Sequence, residues 1–227
     1  RSTLFPYTTL FRSIAKNIHK SFKNLHVLKG VDLELKSSEI LSIVGKSGTG
    51  KSTLLHILGT LDQADEGTLE IGGQMISSMS KRKLANFRSS KIGFVFQFHH
   101  LLEDFNAKEN VMMPAIIAKV SKKKAGASAE RWLEILGLKD RMLHRPNQLS
   151  GGEQQRVAVA RALINQPDII LADEPSGNLD QASSEDLHDL LFRLRDEYSQ
   201  SFIIVTHNMS LAERSNRFLT MKDGILV

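Results

Sequence analysis

The sequence predicts an α/β fold: a parallel sheet with crossover helices, a small antiparallel β subdomain beside it, and a helical subdomain inserted into it. Two observations carry this. Apolar runs at residues 40–44, 92–96, 169–172 and 202–206 are nearly continuous rather than alternating, as strands covered on both faces are, and helical patterns separate them. Residues 31–35 (VDLEL) and 68–71 (TLEI) instead alternate apolar and polar, the mark of half-exposed antiparallel strands.

Taken in order, residues 1–13 show no alternation, helical period or cap, and the first methionine is Met75. The string TLFPYTTLFRS at 3–13 looks like the translation of a sequencing-library adapter, so 1–13 reads as a non-native tail on a truncated gene, with a natural flexible tail as the alternative. A single domain is expected over 14–227. The strand at 40–44 runs at once into a glycine-rich turn and a helix over 52–61. Residues 98–148 are polar and helical with no strand-like run, which puts the inserted subdomain there. A second glycine pair opens a helix reaching 162, and Leu187, Leu190, Leu191 and Leu194 form one face of a helix over 186–197.

Composition narrows the function classes. A chain of 227 residues, 41% hydrophobic and 24% charged, supports one compact core and excludes disorder. It has no cysteine, which excludes disulfides and thiolate metal sites. No apolar run approaches the roughly 18 residues that span a bilayer. No secretory signal is evident, so cytoplasmic residence is expected. Lys and Arg number 30 against 25 Asp and Glu, a net +5 that permits an anionic partner without requiring one.

Gly45-Lys46-Ser47-Gly48-Thr49-Gly50-Lys51-Ser52, followed by Thr53, fits G-x-x-x-x-G-K-[ST] between a strand and a helix, which makes the sheet a P-loop NTPase core of RecA-like type. The glycines let successive backbone N–H groups turn inward on phosphate oxygens, with the positive helix end behind them. Lys51 then reaches the β- and γ-phosphates and the Ser52 hydroxyl ligates Mg²⁺. Asp173 and Glu174 end the apolar strand at 169–172, so two carboxylates emerge beside the phosphate loop. Asp173 suits Mg²⁺ through its water, and Glu174 suits polarising the attacking water. His207 follows the strand at 202–206 as a candidate γ-phosphate sensor; taken alone it would be structural. Ser150, Gly151 and Gly152 open a helix in LSGGEQQ and form a second anion-ready helix start by the same physics, although read alone it is an ordinary capped helix.

Together, GKSGTGKST, LSGGEQQ, ILADEP, SGNLD and the downstream His207 resemble the nucleotide-binding domain of ABC transporters over 14–227. The resemblance implies a homodimer that sandwiches two ATP molecules, each between the 45–53 loop of one copy and residues 150–154, Gln154 included, of the other. It also implies that Phe22 stacks on adenine, that Gln97 couples Mg²⁺ and the γ-phosphate to integral membrane permease subunits, and that Asp180 links the two sites. For Phe22, a buried core aromatic is the alternative.

FVFQFHHLL at 94–102 and ENVMMP at 109–114 resemble the ATP-binding subunits of lipoprotein-releasing transporters, peripheral on the cytoplasmic face of the bacterial inner membrane. Glu103, Asn106 and Lys108 depart from that pattern, at the segment that should meet the membrane subunits. His99-His100 suggests a metal, but adjacent histidines seldom converge on one ion, and surface packing is favoured. Residues 111–117 line either a partner groove or the subdomain core. The lysine clusters at 81–83 and 122–124 read as solvated faces first and as inner-leaflet contacts second. Rival readings are a macrolide-type exporter or cell-division ATPase and, from another class, a non-transport ABC ATPase on nucleic acid or ribosomes. About fifty residues between Gln97 and Ser150 leave no room for the long coiled coil of the DNA-repair type, so no nucleic-acid partner is expected.

Overall fold

The structure, a computed structural model, describes residues 11–227. It opens with β1 (Phe11–Phe22), β2 (Leu25–Lys36), β3 (Ile40–Val44) and α1 (Lys51–Leu58). There follow β4 (Glu66–Ile71), β5 (Gln74–Met75), α2 (Lys81–Lys91), β6 (Ile92–Phe96), α3 (Ala107–Ile117) and α4 (Lys122–Ile135). The remainder is α5 (Gly151–Leu163), β7 (Ile169–Asp173), α6 (Gln181–Tyr198), β8 (Phe202–Val205), α7 (Met209–Arg214), β9 (Arg217–Lys222) and β10 (Ile225–Leu226).

The main sheet has the order β10-β9-β3-β8-β7-β6 and is parallel from β9 to β6, with β10 added antiparallel at the edge. Strands β3, β6, β7 and β8 read as continuous apolar runs because both faces are covered, and the pleat divides each run between two cores. Ile40, Ile170, Ala172, Phe202 and Ile204 join the core under α3, α4, α5 and α6. Leu41, Ile43, Ile169, Leu171, Ile203 and Val205 join the opposite one, built with α1 and the second sheet.

That second sheet is antiparallel in the order β2-β1-β4-β5. The alternating segments at 31–35 and 68–71 lie in β2 and β4 as expected, but they pair with β1 and not with each other. Strand β1 begins three residues before the expected start at 14. Phe11 pairs with Lys36, and Ser13 with Leu35 and Ile71, so residues 11–13 are part of the fold and not of a tail. The rest of that tail reading, residues 1–10, falls outside the described residues. No alternation betrays β1 because its register shifts after Ala15, where Asn17 takes a left-handed φ of 51°. Buried positions 13 and 15 are thereby re-phased to 18 and 20 across a bulge.

The expected helical region contains α3, α4 and two short 3₁₀ turns. Helix α2 forms over one of the lysine clusters, burying Leu84 and Phe87 and leaving residues 81–83 exposed; residues 122–124 are likewise exposed at the start of α4.

Candidate functional site

A cavity of about 720 Å³ opens at the C-terminal edge of β3, β6, β7 and β8. From the β3–α1 loop it is lined by Gly45, Ser47, Gly48, Gly50, Lys51, Ser52 and Thr53, and from the neighbouring strand ends by Gln97, Asp173, Glu174 and His207. Phe22 lies at its margin, 49% exposed, which excludes the core-aromatic alternative; Lys20 Nζ stands 5.2 Å from the ring centre. Val27, Phe98 and His100 also line the cavity. Lys46 and Thr49 do not line it; they brace the loop, the Thr49 hydroxyl donating to the Lys46 carbonyl at 2.9 Å.

The loop demands glycine where it packs. Gly45 has φ 154°, and a Cβ there would lie 2.4 Å from the Met221 carbonyl of β9. Gly50, at φ 105°, caps α1 in a left-handed conformation. Lys51 is 9% exposed, and its Nζ donates to the Gly45 and Lys46 carbonyls at 2.7 and 2.9 Å, so the ammonium is fixed at the loop's centre.

Burial pushes the Asp173 carboxyl above the usual carboxylate range, and a hydrogen bond from the Ser52 hydroxyl works the other way. Glu174 holds a left-handed φ of 46° and donates its N–H to the Val205 carbonyl at 2.8 Å. Strain of this kind survives only where surrounding bonds over-determine it. Its Oε2 accepts from the Thr206 hydroxyl at 3.1 Å and the His207 N–H at 3.2 Å, and Oε1 faces His207 Nδ1 at 2.9 Å. Gln97 Nε2 donates to Asn178 Oδ1 at 3.0 Å, and Asn178 Nδ2 returns a bond to the Gln97 carbonyl at 3.1 Å.

Among the described residues, none of Ser150, Gly151, Gly152 and Gln154 lines this cavity. They form the start of α5, closed by a capping box: Ser150 Oγ accepts from the Glu153 N–H at 3.2 Å, and Glu153 Oε2 from the Ser150 N–H at 2.8 Å. Gln154 turns its amide away, donating to the Pro146 and Leu149 carbonyls. Asp180 caps α6 through the Ser183 N–H and hydroxyl, and those bonds hold its carboxyl below the usual range.

Residues 111–117 divide between core and surface. Val111, Met112 and Ala115 are buried in the core, while Ile117 is 65% exposed and borders an apolar cavity of about 330 Å³ with Phe94, Phe96 and Pro114. His99 and His100 are engaged by protein: His99 Nε2 lies 2.9 Å from the Gly151 carbonyl, and His100 meets the Phe96 ring edge-on. Burial pushes His99 down, with the Gly151 contact opposing it. Residues that motif reading passes over are Thr206, Asn178, Arg161 and Gln155. Thr206 and Asn178 sit inside or beside quoted motifs. Gln155 closes the quoted LSGGEQQ, where no role falls to it, and stands out as a polar residue on a helix face otherwise apolar.

The family model described as ABC transporter matches residues 28–177. The lipoprotein-releasing system ATP-binding protein LolD of Porphyromonas gingivalis is 59% identical over 212 residues, covering 93% of this chain and 97% of the relative. LolD of Bacteroides thetaiotaomicron is 57% identical, covering 93% and 97%. Among solved structures, the ATP-binding cassette MJ0796, a dimer in a post-hydrolysis state bound to ADP and Pi, superposes with a TM-score of 0.85 at 39% identity, covering 94% of this chain and 96% of that one.

Proposed function

This chain belongs to the ABC transporter family, and from that premise we propose that it is the ATP-binding and ATP-hydrolysing subunit of a complex that releases lipoproteins from the inner membrane. The carrying observation is that its two phosphate-type loops are separated: residues 45–53 open on the cavity with Asp173, Glu174 and His207, while residues 150–154 lie off it. One chain then holds half of each of two nucleotide sites, and a second copy supplies the other half. The dimeric state of the similar cassette supports this.

In this reading the loop's backbone N–H groups and the α1 N-terminus hold the phosphates, Lys51 neutralises the β- and γ-oxygens, and Phe22 lies against adenine. Ser52, Gln97 and Asp173 would hold Mg²⁺: a hydroxyl, an amide oxygen and a carboxylate are the hard donors this ion takes. Bound there, Mg²⁺ offsets phosphate charge as it builds. Glu174, oriented by Thr206 and His207, accepts the proton of the water that attacks the γ-phosphoryl group, and ADP and phosphate leave. From the opposite copy, Ser150, Gly151, Gly152 and Gln154 close over the nucleotide, and Asp180 joins the two sites.

The apolar cavity beside Ile117 is the dock for the integral membrane permease subunits, and Gln97, on the loop between cavity and helical subdomain, carries the state of the nucleotide to them. No helix among the described residues is long and apolar enough to cross a membrane. The chain is peripheral, on the cytoplasmic face. The lipoprotein cargo is supported by relatives 50–59% identical that carry that name. The test has two arms. A Glu174→Gln chain with MgATP should run as a dimer by light scattering, and a persistent monomer would refute the two-copy site. Co-purification with its membrane subunits and ATP-dependent release of a lipoprotein from proteoliposomes should follow, and release of some other cargo alone would refute the transport reading.

A further inference from the structure

The loop after β6 is fastened to α5 at points the nucleotide site leaves unexplained. Gln155, fully buried, donates through Nε2 to the Phe96 carbonyl at 3.2 Å and the Pro175 carbonyl at 2.6 Å. Arg161 donates to the His99 and His100 carbonyls, each at 2.7 Å. These two side chains hold the backbone on either side of Gln97 to the body of α5. His99 reaches the tip instead, with Nε2 2.9 Å from the carbonyl oxygen of Gly151, the first residue of α5. A carbonyl only accepts, so that ring nitrogen carries the hydrogen and donates it. The oxygen has two lone pairs, so the bond leaves the helical ladder intact.

The consequence is mechanical. Gln97 walls the nucleotide cavity, Ser150 begins the tip that lies away from it, and the His99 ring bridges the two segments. We propose that His99 is a positioning residue whose Nε2–H latches the Gly151 peptide, so that the Gln97 loop and the Ser150 tip move as one unit when a second copy is engaged. The inference rests on the two-copy reading above. It adds to it a link within one chain between the nucleotide that chain binds and the tip it offers to its partner's nucleotide.

The test compares His99→Gln, which keeps an amide donor near the Nε2 position, with His99→Phe, which keeps a ring and loses the donor. Both are made in full-length Glu174→Gln protein. His99→Phe should weaken MgATP-dependent self-association about fivefold to tenfold, while nucleotide affinity at concentrations too low for dimers stays within about twofold. His99→Gln should recover most of the loss. Equal association of parent, Gln and Phe chains would overturn the latch, as would equal losses in both variants, because a packing role does not distinguish a donor from a ring. Should the Phe variant fail to fold, NMR of the unsubstituted chain decides: the His99 Nε2–H proton should be visible and slow to exchange, and its absence overturns the proposal. A parent that stays monomeric would sink the two-copy reading alone, and the ring proton would still decide the latch.

Discussion

The 45–53 loop and the 150–154 helix tip both present glycines and backbone N–H groups at a helix start, yet they differ in what surrounds them. The first is walled by Lys51, Asp173, Glu174 and His207 in a cavity of about 720 Å³. The second has its polar groups turned inward: Ser150 and Glu153 cap one another, and Gln154 bonds its own loop. A helix start alone is thus only a place where an anion is tolerated. Chemistry needs the strand ends that converge on the first loop, and under the proposed two-copy reading the second loop acts on a nucleotide that another copy brings to it.

The difference can be broken from its chemical side first. Glu174→Gln should lower phosphate release by about 10²–10⁴-fold, the range for a general base, with ATP binding retained in a filter assay. Near-normal turnover would remove Glu174 from that role. Lys51→Ala takes a fixed ammonium from the loop's centre and should weaken ATP binding by about 10- to 100-fold, read by a fluorescent nucleotide. Phe22→Ala removes one aromatic face and should weaken ATP about tenfold while leaving triphosphate affinity unchanged, which separates adenine stacking from phosphate contacts.

How much of this was legible in the chain depends on whether a residue's task is local. The buried strands, the 45–53 loop, and Asp173 and Glu174 are written as contiguous residues, because backbone hydrogen bonding and the turn into a helix act over short spans. Strand β1 was hidden because the Asn17 bulge breaks its alternation, so that Ser13 and Ala15 face inward before it and Ile18 and Lys20 after. Helix α2 was hidden by its charge, since only Leu84 and Phe87 are buried and they mark too short a stripe. The β9–β10 hairpin went unread because β9 is held by pairing with β3, a partner far away in the chain. Gln155 and Arg161 hold backbone carbonyls 59 and 61 residues distant, and no spacing rule reports such bonds.

The smallest effect sharpens the comparison from the tip's side. The Glu153 carboxyl is held below the usual range first by the Ser150 N–H, against the opposing pull of burial, and then by Arg141 at 2.9 Å. Because its folded value is depressed, the stability it contributes is present above the unfolded value and lost as pH falls through the folded one. Glu153→Gln keeps an acceptor for Ser150 but not the charge, so at pH 7 it should cost about 1 kcal/mol or less, a melting point lower by about 2–4 °C. That gap should begin to narrow as pH falls past the ordinary glutamate value of about 4.3 and close once pH is below the depressed folded value, where the wild-type carboxyl is itself neutral. Nucleotide affinity of the single chain should not move in parallel, since the tip lies off the cavity. If it did move, the tip would be part of its own chain's site, and the contrast between the two loops would collapse.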